Sequence, residues 1–264
     1  MALKRLFGSH PTAVSPKQSP INIIGHKGGL HNHPYGSAPP RSTSKRMPLN
    51  FQGAYANGAG GRVRGGVVEN DGYCVRYVLP DGEKATITGG ALDHKDVFQL
   101  HSFHVHFGSE DWHGSEHTVD GQAYSAEIHF VHYNAKYGDF NSAKTQRDGL
   151  AVIGVFVKLG TANPEFDELK FGSLYEKGAR RKPFAVFLNN VLPPIRNYYY
   201  YEGSLTTPPY SENVRWIIMQ HPIEISTSQM WGLRRIHNAE SKPMENNYRE
   251  TQSLNERQVQ FLFE

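Results

Sequence analysis

Short segments rich in β-branched and aromatic residues recur along this chain of 264 residues and constrain its fold more than any other feature. The clearest are GYCVRYVL (72–79), QLHSFHVHF (99–107), YSAEIHFVHY (124–133), LAVIGVFVKL (150–159) and VRWIIM (214–219). Such segments, separated by turn residues, predict β-strands. Only residues 163–181 and 227–240 have helical character. The pattern therefore predicts one β-rich domain with a few short helices.

One early stretch interrupts this strand pattern. Residues 27–46 read KGGLHNHPYGSAPPRSTSKR, a composition of turn-forming and polar residues that is typical of a loop. We therefore predict an irregular N-terminal segment at 1–17, followed by a single domain at 18–264 that contains a long loop near 27–46.

The cysteine content and the hydropathy of the chain indicate its cellular compartment. Cys74 is the only cysteine, so an internal disulfide is impossible, and this favours a reducing compartment. No apolar run approaches the ~20 residues that span a bilayer. The start, MALKRLFGSHPTAV, lacks the sustained apolar core of a secretory signal. We expect a cytoplasmic protein without a membrane partner, with a mitochondrial location as the alternative because the start also lacks acidic residues.

The net charge of +3 is unevenly distributed. Residues 1–68 hold nine lysines and arginines and no acidic residue, which leaves a net charge of −6 for the remainder. A basic arm that binds nucleic acid is one interpretation. However, the cations are scattered among glycine, proline and serine, with no basic cluster that contains interleaved aromatic residues. We therefore predict no nucleic-acid partner.

The stretch FHVHFGSEDWHGSEH (103–117) concentrates candidate metal ligands. Side chains alternate between the two faces of a strand, so His104 and His106 share one face. On a second predicted strand, Glu127 and His129 share a face. If the two strands are antiparallel neighbours, His129 completes a site of three imidazoles, which suits zinc and leaves the fourth position open. Glu127 could then orient His129 by accepting its other ring N–H.

Two other interpretations of these histidines remain open on spacing alone. Isolated histidines are often ordinary core or surface groups. The sequence HVHFGSE also matches the His-x-His-x₃-Glu pattern of cupin barrels, with Glu110 as the carboxylate ligand and iron or manganese as the metal. The cupin pattern needs a later histidine in a turn, whereas His129 follows soon and lies within a predicted strand. We therefore favour zinc.

Seven blocks, in order, resemble the α-class carbonic anhydrases. They are QSPINI (18–23), GGALD (89–93), residues 103–121, YSAEIHFVHYNAKYGDF (124–140), DGLAVIGVFVKLG (148–160), EGSLTTPP (202–209) and NNYRETQSLNERQV (246–259). The resemblance covers the chain from about residue 18 to its end. It implies a single, mainly β domain around a large, twisted, mostly antiparallel sheet with a few short peripheral helices. It also implies Zn²⁺ on His104, His106 and His129.

The resemblance further implies reversible hydration of CO₂ to bicarbonate and a proton by a zinc-bound hydroxide. Zinc lowers the pKa of its bound water to about 7, a value taken from this same family. Thr206 would donate a hydrogen bond to Glu116 and accept one from the hydroxide, while Thr207 would contact bicarbonate. His117 resembles a buried structural histidine. An apolar wall would hold CO₂, and its residues are Val131, Val152, Leu205 and Trp216. Sulfonamides and anions are the expected inhibitors.

The chain departs from the family pattern at three cavity positions. Tyr73 stands where fast members carry a histidine that relays protons. Because tyrosine ordinarily titrates near pH ~10 and histidine near ~6.5, we predict a hydratase limited by proton transfer. His31, His33 and His101 are possible substitutes. Ser102 replaces a glutamine that supports the first zinc histidine, and lost support of this kind costs ~10–100-fold in metal affinity or activity. Arg76 stands at a cavity-wall position of the family, and if it faces inward it adds positive charge there.

A catalytically weak or silent relative of the family, kept for binding partners, is the alternative function. Silent relatives typically lack a zinc histidine, whereas this chain has all three. Metal analysis separates the possibilities, since it would find zinc, no metal, or iron or manganese. The sequence leaves the oligomeric state open.

Overall fold

The computed structural model describes residues 17–25 and 45–264. The strands in this part of the chain are β1 (Asn22–Ile23), β2 (Lys45–Arg46), β3 (Leu49–Gly53), β4 (Arg62–Val63), β5 (Val67–Asn70), β6 (Val75–Val78), β7 (Ala85–Gly89), β8 (Phe98–Phe107), β9 (Thr118–Val119), β10 (Ala126–Asn134), β11 (Leu150–Leu159), β12 (Arg180–Arg181), β13 (Val186–Phe187), β14 (Tyr198–Gly203), β15 (Val214–Met219), β16 (Ile223–Ile225) and β17 (Gln260–Phe263). The α-helices are α1 (Phe140–Ala143), α2 (Pro164–Leu169) and α3 (Thr227–Arg234).

Most of these strands form one mixed sheet, which confirms the predicted fold class. Within the described residues it has 13 strands, with the path β12-β5-β6-β8-β10-β11-β15-β14-β17-β2 and with β3, β7 and β16 attached beside it. Its pairs are mainly antiparallel, while β11 runs parallel to β15 and β16, and β17 runs parallel to β2. The long strands β8, β10 and β11 are neighbours at its centre, and the fold therefore brings the histidine-bearing segments side by side.

Alternation along β8 separates the core from the opposite face of the sheet. Phe103, Val105 and Phe107 lie in the main hydrophobic core, together with Phe98 and Leu100. The side chains between Phe103 and Phe107, those of His104 and His106, point to the other face. The core-facing residues are therefore even-numbered up to Leu100 and odd-numbered from Phe103 onwards. The pairing of β8 with β10 shifts register between these two residues.

The helices are shorter than the sequence suggests. In the segment 163–181, α2 ends at Leu169, because Lys170 adopts a left-handed conformation with φ of 46°. A 3₁₀ turn, Phe171–Ser173, follows, and Arg180–Arg181 belong to the sheet. In the segment 227–240, α3 ends at Arg234, and Ser226 caps it through a capping box with Gln229.

The predicted early segment and loop fall mostly outside the described residues. Residues 1–16 and 26–44, which include His31 and His33, are not part of the described structure. The last two residues of the predicted loop, Lys45 and Arg46, form β2. Within the described residues, no helix has the length and apolar character needed to cross a membrane.

Candidate active site

Three histidine rings converge on the face of the sheet opposite the main core. His104 on β8 lies directly across from His129 on β10 in the antiparallel register, and His106 pairs with Glu127. The ring centroids of His106 and His129 are 4.6 Å apart, and His104 lies 4.9 Å from His106 and 5.3 Å from His129. The potential ligand atoms of the three rings lie within 4.8 Å of one another. The structure thus brings together the three predicted zinc ligands.

Hydrogen bonds on the far side of two rings determine which nitrogen faces the shared space. His106 Nδ1 contacts the backbone oxygen of Asn247 at 2.8 Å, and His129 Nε2 contacts Glu127 Oε1 at 2.8 Å. A neutral ring has one N–H donor, and each of these acceptors fixes it on the far nitrogen. His106 Nε2 and His129 Nδ1 are therefore left as lone-pair atoms that point inward.

These inward atoms fit a metal ion. His106 Nε2 is buried and has no hydrogen-bond partner in the described part of the chain. Burial lowers the pKa of all three histidines, which keeps them in the neutral form that binds metal. A set of three imidazoles is a donor set that zinc uses in catalytic sites.

A second group that could hold a metal, formed by His117, Glu127 and His129, is already satisfied by hydrogen bonds. His117 Nδ1 contacts Glu127 Oε1 at 2.7 Å, and its Nε2 contacts the Tyr201 hydroxyl at 2.6 Å. The backbone N–H groups of Glu116 and His117 both donate to Glu127 Oε2. Because these atoms are paired with one another, we interpret this group as the support of the three-histidine site.

Glu116 is the second buried carboxylate beside the histidines. Its Oε1 accepts the backbone N–H of Arg249 at 2.8 Å, while Oε2 lies 3.6 Å from His106 Nε2 and 3.7 Å from His129 Nδ1. Burial raises its pKa to about 7, against the lowering effects of His129 and the Thr206 hydroxyl. Oε2 nevertheless has no hydrogen-bond partner among the described residues. The Thr206 hydroxyl is close enough to the carboxylate to act as a hydrogen-bond partner that lowers its pKa, although Oε2 itself has no partner among the described residues.

The predicted apolar wall is a contiguous cluster in the structure. Val131 pairs with Val152 across β10 and β11, and Val152 pairs with Trp216 across β11 and β15. All three belong to one hydrophobic cluster, against which the half-buried Leu205 packs. Trp216 Nε1 donates to the backbone oxygen of Ser204 at 2.9 Å, which ties the wall to the segment that carries Thr206. Thr207 is exposed beside the buried Thr206.

The structure places the three departures from the family pattern as follows. Tyr73 lies in the turn between β5 and β6 and is 50% exposed. Ser102 is buried on β8, and the hydrogen bonds of the described residues include none to the ring of His104. Arg76 lies opposite His104 in the register of β6 and β8. Its guanidinium pairs with Glu69 at 2.5 Å, which offsets much of the positive charge that it would bring to this face.

The remaining predicted residues fall clearly inside or outside the site. His132 is buried on the core face, where its Nε2 contacts the Tyr55 hydroxyl at 2.7 Å. His113 is exposed in a turn near the ring of Tyr248. Glu110, the carboxylate of the cupin interpretation, is also exposed and belongs to neither group of potential metal ligands in the described residues.

The sequence did not predict the roles of two supporting residues, Asn247 and Arg249. The backbone oxygen of Asn247 orients His106, and the backbone N–H of Arg249 holds Glu116. Both contribute main-chain atoms across more than 130 residues of sequence, so no side-chain pattern could reveal their roles. The only signal was their presence in the block NNYRETQSLNERQV, which resembles the family without indicating these contacts.

Comparisons with known proteins agree with this geometry. The family model of the eukaryotic-type carbonic anhydrases matches residues 7–263. Carbonic anhydrase 3 of Homo sapiens is 36% identical over 261 residues, which covers 96% of this chain and 92% of the human protein. Carbonic anhydrase 3 of Mus musculus is 39% identical over 202 residues, covering 74% of this chain and 76% of its own length. The Rattus norvegicus protein of the same name gives the same identity and coverage.

A mixed sheet that presents three neutral histidines beside an apolar wall defines a class of enzyme with a candidate metal centre. The chain belongs to the eukaryotic-type carbonic anhydrase family. Its activity is accordingly that of a carbonic anhydrase, the hydration of CO₂.

Proposed function

We propose that this carbonic anhydrase is a zinc enzyme whose turnover is limited by proton transfer. The observation that carries the zinc assignment is the orientation of His106 and His129, each held by a far-side hydrogen bond so that one lone pair faces His104. Zinc bound there would supply Lewis-acid activation of water near neutral pH.

The protein's own groups would hold and orient the reactants. Glu127 fixes the tautomer of His129 and stays ionised, because His117 and His129 together lower its pKa well below the usual range although burial raises it. Glu116 offers Oε2 as an acceptor to the Thr206 hydroxyl, which would then be turned to accept a hydrogen bond from the attacking water. The Glu116 carboxylate would thus act through Thr206 to determine which lone pair of the attacking water oxygen faces the substrate.

The cluster of Val131, Val152, Leu205 and Trp216 would hold CO₂. An uncharged linear molecule gains little from hydrogen bonds, so an apolar surface receives it without leaving buried polar groups unpaired. Thr207, which is exposed next to Thr206, would contact the bicarbonate product as it leaves. We expect primary sulfonamides and small anions to compete at the same place.

The proposed limit on turnover concerns the proton that each hydration event releases. A tyrosine hydroxyl is a poor match for a donor that titrates near pH ~7. Stopped-flow hydration should therefore accelerate as imidazole buffer is added, while kcat/KM stays constant. A turnover that is already high and indifferent to buffer would contradict the limitation, and Tyr73→His should remove the buffer dependence.

Metal content separates this proposal from a silent relative. The purified chain should hold one zinc per molecule, and a chelator should abolish both the zinc and the sulfonamide-sensitive hydration, with activity restored by zinc. A chain purified without bound metal, or one that holds zinc without hydration, would favour the silent alternative. We also propose a cytoplasmic location, for which the single cysteine is the support, and cell fractionation tests it.

A further inference from the structure

His101 lies at a break in the alternation of β8. In the pairing with β10, Ser102 is opposite Val131 and Leu100 is opposite His132, so His101 has no partner across this pair. Such a β-bulge redirects a side chain relative to simple alternation. Leu100 and Phe103 both face the main core, which places the two residues between them, His101 and Ser102, towards the face of His104.

The ring of His101 is held flat against an aromatic neighbour. It stacks on Phe140, the first residue of α1, with centroids 4.1 Å apart and an interplanar angle of 4°. Stacking covers one face of the imidazole and leaves its two nitrogens free at the ring edge to meet other groups. Neither nitrogen has a hydrogen-bond partner in residues 17–25 and 45–264, so both can bond water.

His101 also has partial access to solvent. Its side chain is half-buried, as is that of His104, and Lys144, whose charge acts on His101, is exposed at the end of α1. His101 lies three positions before His104 on the strand, about 10 Å along the chain. That span suits a relay through two or three water molecules.

The charges that face His101 come from two elements. Burial lowers its pKa, and the positive charges of Arg76 on β6 and Lys144 beyond α1 lower it further. The ring is therefore neutral at neutral pH and able to accept a proton. Because its pKa lies below that of ordinary histidine, accepting a proton from a donor near pH ~7 is unfavourable, and the transfer is slow rather than absent.

We propose that His101 is the proton-relay residue of this enzyme, placed by the β-bulge on the face of the metal ligands. This inference rests on the proposed zinc hydratase. The proton released when water adds to CO₂ passes through cavity water to a neutral nitrogen of His101. It then leaves to a buffer molecule in bulk solvent, which returns the imidazole to its neutral form.

The test is the hydration kinetics of His101→Ala in the zinc-loaded full chain. At low buffer, kcat should fall on the order of tenfold, less than the ~10²–10⁴ of a well-matched proton-transfer group. The value of kcat/KM should stay unchanged, since it reports the addition of water rather than the export of the proton. Saturating imidazole should make the variant equal to the parent. His94→Ala, which removes an exposed histidine from the turn before β8, is the matched control and should change nothing.

In the kinetics of His101→Ala, two results would overturn the relay: an unchanged low-buffer kcat, or an equal loss of kcat and kcat/KM, which would indicate a structural role. If the parent itself lacks hydration, the proposed function fails, and the relay fails with it.

A second measurement is independent of turnover. The NMR titration of the His101 ring, assigned by its loss in His101→Ala, should give a pKa below ordinary histidine, and Lys144→Gln should raise it. That same variant should increase low-buffer kcat at neutral pH. A raised pKa without a faster low-buffer turnover would also exclude the relay.

Discussion

Replacing Glu127 by glutamine should weaken both the fold and the metal site. The carboxylate is buried and accepts four hydrogen bonds. Oε1 takes those of His117 Nδ1 and His129 Nε2, and Oε2 takes those of two backbone N–H groups, from Glu116 and His117. Glutamine keeps one carbonyl oxygen and presents an NH₂ group where the second oxygen stood. Two of the four donors must then face a donor.

The magnitude depends on which way the new amide turns. If the NH₂ faces the two backbone groups, both stay unsatisfied at ~1–3 kcal/mol each, so the loss of stability is about 2–6 kcal/mol. If it faces the two histidines, His117 can carry its ring proton on Nε2 instead of Nδ1 and donate it to the Tyr201 hydroxyl. His129 cannot do so without placing a proton on Nδ1, the atom that points towards His104 and His106. This second orientation preserves the fold but blocks one ligand, and we expect at least the ~10–100-fold loss of zinc affinity found for lost supporting contacts.

Urea unfolding of the metal-free protein and chelator competition for zinc measure the two effects separately. Glu240→Gln, which changes the same charge on an exposed residue, is the control and should leave both unchanged. If Glu127→Gln unfolded at the same urea concentration as the parent and bound zinc equally well, the role assigned to these four hydrogen bonds would be wrong.

Three further predictions address other parts of the site and its surroundings. Ser102→Gln should lower the zinc dissociation constant by roughly tenfold, because its amide oxygen can reach the ring of His104; chelator competition checks this, with Ser102→Ala expected to match the parent. Thr206→Val should reduce kcat/KM for hydration by ~10²-fold with zinc content unchanged, and an equally active variant would remove Thr206 from the mechanism. Burial lowers the pKa of His132 to about 3. Since the unfolded chain takes up this proton near pH ~6.5, stability should fall as pH decreases from ~6.5 to ~3. In His132→Gln, the slope of the free energy of unfolding against pH, measured by urea unfolding, should be smaller by up to ~1.4 kcal/mol per pH unit.

The sequence predicted those parts of the site that depend on local periodicity. Alternation within two strands was enough to place His104, His106, Glu127 and His129 on shared faces, and the antiparallel pairing in the structure aligns them. The position of His101 could not be predicted in this way. Strict alternation from Phe103 would assign it to the core, whereas the bulge between Leu100 and Ser102 turns it to the other face.

Contacts between distant segments were also beyond the reach of the sequence. Arg76 was expected to add charge to the cavity wall, yet Glu69, which lies across the β5–β6 hairpin, pairs with it. Glu69 itself also binds Arg180, more than 100 residues away, and this contact forms only because β12 pairs with β5. Periodicity identifies the face of a strand, but it does not reveal which charge is neutralised there.

The two buried carboxylates beside the histidines have opposite pKa shifts, and the difference follows from the charges and donors that each one meets. Burial acts to raise the pKa of both. At Glu127, His117 and His129 outweigh burial and lower the pKa well below the usual range. At Glu116, burial and the nearby charge of Glu127 outweigh His129, Thr206 and Arg249, and the pKa is raised to about 7. Glu127 is therefore ionised whether or not a metal is bound, and it can fix the tautomer of His129 before the metal arrives. Glu116 has an oxygen left over, and both a cation at the three histidines and a turned Thr206 hydroxyl would favour its charged form. The support of the proposed metal site is thus complete in advance, whereas the acceptor for Thr206 would become fully charged only when the site is loaded.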